Sequence, residues 1–254
     1  MQRRQRLLLA ASLTWIAGYV DAVGFLSLGH IYTANMSGNS IAIGIHAVSQ
    51  NWIEMLRRIT PVLAYFLGLL FCRLLIEFGA RKGVRSIATV AICFEIALLI
   101  PVCAVSGLRP DTAIELSLAY IGMLALAMGI QNAALTHFST LTLHTGFVTG
   151  TLVKCAERTA KYLTWVFDEV AERHQPLARA IRRSGKEKQF QLSAWLALVW
   201  LAYVAGAVCG ALGDYSFRFR SLIIPILALL GVIGMDLRNP LALKDEQEQA
   251  NLSI

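Results

Sequence analysis

The chain has 254 residues, 56% of them hydrophobic and 15% charged, with a net charge of +7 and a mean hydropathy of +0.58. Apolar runs that approach or exceed the ~20 residues needed to cross a ~30 Å hydrocarbon core argue against a soluble fold. The five cysteines have no paired spacing and four lie in apolar runs, so they read as small buried residues rather than disulfides or metal ligands.

Six stretches read as spans, in chain order. Residues 7–29 carry one charge, Asp21. They follow a basic start but lack a small-x-small cleavage site, so they read as a retained helix and not as a signal peptide. Residues 60–79 carry Arg73 and Glu77, and residues 84–105 carry Arg85 and Glu95. Residues 117–139 and 192–213 have no Asp, Glu, Lys or Arg, and 221–235 is short and uncharged. With a cytoplasmic N-terminus, Arg57, Arg58, Arg109, Arg218 and Arg220 fall outside, Arg73 falls within a span, and the other 17 of 23 Lys and Arg fall inside. The positive-inside rule then puts both termini in the cytoplasm, and the basic excess reads as an orientation signal rather than a nucleic-acid surface.

A weak internal repeat runs through these spans. "AGYVDAVGFLSLGHIYTANMSGNSIA" (17–42) lies on "MGIQNAALTHFSTLTLHTGFVTGTLV" (128–153), placing Gly18 on Gly129, Asp21 on Asn132 and, after a one-residue slip, Ser37 on Thr149 and Gly38 on Gly150. "LAYFLGLLFC" (63–72) lies on "LAYVAGAVCG" (201–210), placing Tyr65 on Tyr203 and Gly68 on Gly206. Three spans per half is an odd number, so the halves would cross the membrane in opposite senses, the construction common among secondary transporters. The expected fold is all-α and integral to the membrane. It has six transmembrane helices in two inverted three-helix repeats (7–105 and 114–236), all in one membrane domain, with a flexible cytoplasmic tail over 237–254.

"TANMSGNSIAIG" (33–44) interrupts the apolar pattern with small polar residues, and "TGFVTGTLV" (145–153) does so again at the equivalent place. Each reads as a short extended piece followed by a broken or re-entrant half-helix, after helices 1 and 4. Ser or Asn before an apolar run is a cap signal, and glycine there admits close approach. Half-helix N-termini attract anions and carboxylate oxygens. The candidate substrate-binding residues are therefore Asn35, Ser37, Gly38 and Asn39 from the first loop, with Thr149, Gly150 and Thr151 from the second. The alternative is two ordinary surface loops whose Ser and Gly serve turns.

Charge inside a span is expensive and usually functional, which singles out Asp21. It either couples transport to a proton or braces the broken segment; its counterpart Asn132, next to Gln131, can hydrogen-bond but not titrate. Arg73 and Glu95, on adjacent spans joined by a short loop, are expected to form an ion pair. Gly206 and Gly210 make a small-xxx-small packing face. His137 and His144 have poor metal spacing. No phosphate loop, nucleophile elbow or zinc signature is present, so no enzyme, cofactor or metal is expected. Residues 152–191 read as a cytoplasmic amphipathic segment with Glu157/Lys161 and Glu169/Arg173 pairs.

The order "GYVDAVGFLSLG", "TANMSGN", "TGFVTGT" resembles the YoaK-like family of bacterial integral membrane proteins of unknown function. Its members typically show a Gly-x-x-Asp-Ala helix and a Met-Thr-Gly-Asn loop. Gly18, Asp21, Ala22, Met36, Gly38 and Asn39 match, and Ser37 replaces the threonine while keeping the hydroxyl. The resemblance covers nearly the whole chain and implies a bacterial inner-membrane protein of about six spans. It names no substrate. The residues themselves suggest a small secondary transporter for an anionic or carboxylate-bearing metabolite, with the lipid bilayer and that solute as partners and room for a homodimer. A channel with a two-sided polar constriction, or a non-transporting scaffold or sensor, are the alternatives.

Overall fold

The computed structural model describes residues 2–84, 86–104, 114–138, 148–171, 176 and 187–238. Residues 145–147 of the expected second polar loop, most of the amphipathic segment beyond Ala171 (with Arg173 and its pair to Glu169), and most of the polar tail lie outside the described residues, as does the side chain of His137.

All regular structure among the described residues is helical: α1 (Gln2–Ser27), α2 (Met36–Val48), α3 (Trp52–Arg81), α4 (Ile87–Ala104), α5 (Ile114–Phe138), α6 (Val148–Ala171), α7 (Lys188–Phe217) and α8 (Ile223–Arg238). A short 3-10 turn, Arg218–Leu222, joins α7 to α8. Five stretches are long and apolar enough to cross a membrane: Leu8–Ser27, Trp52–Arg81, Ile87–Ala104, Ile114–Thr136 and Lys188–Arg238. The outside of the bundle is apolar, with Leu63, Phe66, Leu67 and Leu70 exposed along α3. An all-α membrane protein is what this surface requires, because helices satisfy their own backbone in lipid.

Several boundaries differ from those read in the sequence. α3 begins at Trp52 rather than near residue 60, capped by Asn51, whose side chain accepts from the Glu54 N–H. Arg57 and Arg58 therefore sit on a helix, not in an outer loop. Residues 188–191 belong to α7 rather than to the amphipathic segment, whose described helix starts at Val148. Of the expected pairs on that segment, Glu157 and Lys161 meet at 2.7 Å. The neighbouring ammonium holds the Glu157 carboxyl below its usual range.

Contacts along the chain fix the sense of each helix. Arg57 reaches Ser117, and Arg73 reaches Thr136. Both helices advance together, so α3 and α5 run parallel. Trp15 lies against Gly206, Tyr19 against Gly210, and Ser27 hydrogen-bonds Asp214, so α1 and α7 also run parallel. α4 and α8 run antiparallel: Thr89 near the start of α4 donates to Asp236 near the end of α8, and Cys103 at the other end of α4 meets the carbonyl of Arg220. The last apolar stretch thus folds back on itself at the 3-10 turn. The start of α1 and the end of α8 lie at the same face of the molecule.

The two parallel pairs are held at very close range. A Cβ added to Gly18 would run into the carbonyl of Tyr203, and one on Gly206 into the carbonyl of Trp15. On the other pair, Gly129 faces the carbonyl of Tyr65, and Gly68 faces that of Leu126. Only residues without a side chain permit backbone-to-backbone contact of this kind, the usual basis of helix association in lipid. Gly18→Leu is expected to lower the thermal unfolding temperature in detergent, by a loss of about 1–3 kcal/mol or more. Gly231→Ala, where no atom lies within 4 Å, is expected to be neutral or slightly stabilising.

Candidate functional site

Between the two parallel pairs lies a buried polar centre. α1 ends at Ser27 in a tight reversal in which Gly29 and His30 both have positive φ, 73° and 60°. Arg57 donates to the carbonyl of Leu28 at 3.2 Å, and Arg58 to the carbonyl of His30 at 2.5 Å. Two cations on α3 thereby satisfy the orphaned carbonyls at the end of α1, where the helix dipole also favours positive charge. The chain then doubles back along α1. By Thr33 it has returned to Asp21, six residues or ~9 Å back along the helix axis.

Asp21 holds this returning strand of chain. Its Oδ1 accepts from the Thr33 N–H at 2.6 Å, the Ala34 N–H at 2.9 Å and the Thr33 hydroxyl at 3.1 Å. Its Oδ2 accepts from the Tyr203 hydroxyl of α7 at 2.7 Å. Thr33 is fully buried and Asp21 nearly so. Backbone donors buried away from water need a partner, and no regular structure supplies one at residues 33–34. The carboxylate supplies it.

α2 starts immediately afterwards, at Met36. The expected cap by Ser37 or Asn39 is not formed: Asn35 occupies the N-cap position without a side-chain capping bond. Its Oδ1 accepts from the Ser37 hydroxyl instead, at 2.8 Å. Asn39 is fully buried, its amide donating to the Tyr32 carbonyl at 2.7 Å and its Oδ1 facing the Tyr32 N–H at 3.4 Å. Gly38 lies under the Tyr32 ring, 3.1 Å from where a Cβ would stand. Of the four candidates from the first loop, Asn39 and Gly38 shape the loop, Asn35 is half-buried and Ser37 is exposed.

The residues that the repeat matches to Asp21 and Tyr203 are likewise joined by a hydrogen bond. Asn132 on α5 donates to the Tyr65 hydroxyl of α3 at 2.6 Å, both residues being buried. Tyr65 also lies close enough to Asp21 to feel its charge. Gln131, 2% exposed, has an amide nitrogen with no hydrogen-bond partner. At the start of α6, Thr149 is exposed, Gly150 half-buried and Thr151 buried. α6 packs along α7 through Thr159 and Ser193, 2.6 Å apart, much as α2 packs along α3.

The expected ion pair between Arg73 and Glu95 is not formed. α3 and α4 do meet there, but Arg73 lies on the side of α3 that faces α5. Arg73 is exposed and donates to the Thr136 hydroxyl at 2.7 Å, while Glu95 is fully buried with neither oxygen partnered. Tyr65 and Tyr203, matched in the sequence repeat, were the polar partners that hydropathy alone did not mark: a tyrosine in an apolar run reads as core until its hydroxyl finds a partner. Among the described residues no group of three or more His, Cys, Asp or Glu is placed to hold a metal ion.

A family model described as "Protein of unknown function (DUF1275)" matches residues 9–235. The chain is also similar to the UPF0700 transmembrane protein YoaK of Bacillus subtilis (strain 168), 24% identical over 230 residues that cover 91% of this chain and 92% of that protein. No solved structure matches. Asp21→Ala is expected to destabilise the protein by several kcal/mol, since it strands two buried N–H groups at about 1–3 kcal/mol each. Asp21→Asn, which retains an acceptor for them, is expected to cost clearly less. Thermal unfolding and limited proteolysis at residues 28–35 read both.

Proposed function

The chain belongs to the DUF1275 family, a family of multi-pass membrane proteins, and we propose that this member is a small secondary transporter for an anionic or carboxylate-bearing solute. It works by alternating access between two inverted three-helix halves, α1, α3, α4 and α5, α7, α8. The observation that carries this reading is the matched pair of hydrogen bonds, Asp21 to Tyr203 and Asn132 to Tyr65. The two bonds are equivalent under the internal repeat, which aligns Asp21 with Asn132 and Tyr203 with Tyr65, and they lie on helix pairs that also exchange matched glycine contacts. Inverted halves that meet at a central polar site are the common plan of secondary transporters.

The solute class follows from the donors near that centre. α2 begins beside the loop that Asp21 holds, and its first N–H groups have no side-chain cap. A free helix N-terminus favours negative charge. Gln131 contributes a buried amide donor without an acceptor, which a carboxylate oxygen satisfies. In this reading Asp21 braces the broken segment, and α2 and the first turns of α6 enter the membrane as re-entrant half-helices from opposite faces. Asn35, Ser37, Gly38, Thr149, Gly150 and Thr151 line the way to the solute, and Asn39 keeps α2 in place. The protein sits in the bacterial inner membrane with both termini cytoplasmic, as the Lys and Arg distribution suggests.

A channel with the same constriction differs in one measurable respect, since its flux does not saturate. The test is a thermal-shift screen of purified protein against small anions and carboxylates. A stabilising hit is expected in the wild type and is expected to weaken at least tenfold in Gly38→Leu and Gln131→Leu. A hit unchanged in Ser37→Ala, Gly38→Leu, Thr149→Ala and Gln131→Leu would place the site elsewhere.

A further inference from the structure

Glu95 stands apart from every other acid described. It lies midway along α4 and is 0% exposed, and neither carboxyl oxygen has a hydrogen-bond partner. It continues the face of Ala88 and Ala91, which packs against Cys72, Ile130, Ala133 and Ala134. That wall offers no oxygen ligands, so a metal cation, which wants about six, has nothing to complete its shell. A proton needs none.

The groups around it are few. From α3 comes the Cys72 thiol, close enough to interact electrostatically, while Arg73 is turned away to Thr136. Among the described side chains of α5, Gln131 and Asn132 are amides, and the titratable Glu115 and Tyr120 lie nearer the start of that helix. On the α8 side, Asp236 is engaged by Thr89, six residues along α4. An ionised carboxylate so placed would lack both donor and counter-ion, an arrangement that burial strongly disfavours. Binding one proton relieves that penalty.

We propose that Glu95 is a membrane-embedded proton-binding site, protonated in the conformation described and serving as the coupling group. Its chain neighbour Phe94 borders the α3–α4 seam. An apolar cleft of about 510 Å³ includes Leu67, Phe94, Leu98 and Ile130 in its lining, and Phe71 meets Phe94 edge-on across it at 4.9 Å. When the movement of the two halves opens the interior to water, the carboxyl gives its proton to that water and carries one negative charge until another proton replaces it. Asp21, by contrast, is committed to the loop and Tyr203. The proton site stands on burial and missing partners; its coupling role rests on the transporter reading above.

The test is infrared difference spectroscopy of the full chain in lipid nanodiscs, wild type against Glu95→Gln. At neutral pH the difference is expected to show the C=O stretch of a protonated carboxyl, with no matching carboxylate band. A difference containing only carboxylate bands would overturn the site. Dicyclohexylcarbodiimide, which modifies protonated acids from the lipid phase, needs no variant: mass mapping is expected to find it on Glu95. Modification of other acids with Glu95 untouched would also count against the site. Proteoliposome uptake of labelled lactate and succinate under a proton gradient separates the two readings. Gradient-driven uptake is expected in the wild type and a loss of at least tenfold in Glu95→Gln. Driven uptake that persists in Glu95→Gln ends the coupling role and leaves transport standing. A protonated Glu95 without driven uptake of either solute keeps the site and removes the coupling.

Discussion

The close approach of parallel helices at Gly18, Gly206, Gly68 and Gly129 is the constraint on which the rest of the molecule depends. Lipid tails are as apolar as leucine, so burial does not drive helices together inside a bilayer; packing and interhelical hydrogen bonds must do so. Glycine lets the backbones of α1 and α7, and of α3 and α5, come into contact. That contact brings the Tyr203 hydroxyl to Asp21 and the Tyr65 hydroxyl to Asn132. A bulkier residue at any of the four positions would separate the helices and draw each tyrosine away from its partner. Packing and polar satisfaction are thus one feature.

Asp21 and Glu95 show two ways of keeping a carboxyl group inside a membrane protein. Asp21 accepts four hydrogen bonds and uses them to hold a stretch of chain that has no ladder of its own. Glu95 accepts none. The first arrangement fixes a structure, because moving any donor leaves the others strained or the carboxylate bare. The second fixes nothing around it and leaves the oxygens free to exchange a proton. Their separate placement, one against the loop between α1 and α2 and one beside the α3–α4 seam, divides shape from charge.

Much of this was legible in the residues. Hydropathy located the apolar helices, because lipid imposes a length and a composition that soluble folds do not. The repeat aligned Gly18 with Gly129, Asp21 with Asn132 and Tyr65 with Tyr203, and those residues meet across two helix pairs in matching contacts. What could not be read was which helices touch. Adjacency in the chain suggested Arg73 with Glu95, but Arg73 turns to Thr136 on α5. Arg57 and Arg58 looked like loop charges marking a membrane face, yet they cap the carbonyls ending α1. The bond by which Asn39 ties Tyr32 to α2 was also invisible in the sequence. Each miss concerns a polar side chain whose partner is distant in sequence or lies across a loop, where periodicity carries no information.

If the halves really insert in opposite senses, equivalent turns must open on opposite sides of the bilayer. Gln50, between α2 and α3, and Glu187, at the start of α7, occupy such equivalent places. Single cysteines at each, in a chain freed of its native thiols, can be labelled in sealed oriented vesicles with a membrane-impermeant maleimide. Exclusive labelling of one from the outer side and the other from the cytoplasmic side is the expected result. Labelling of both from the same side would contradict the account.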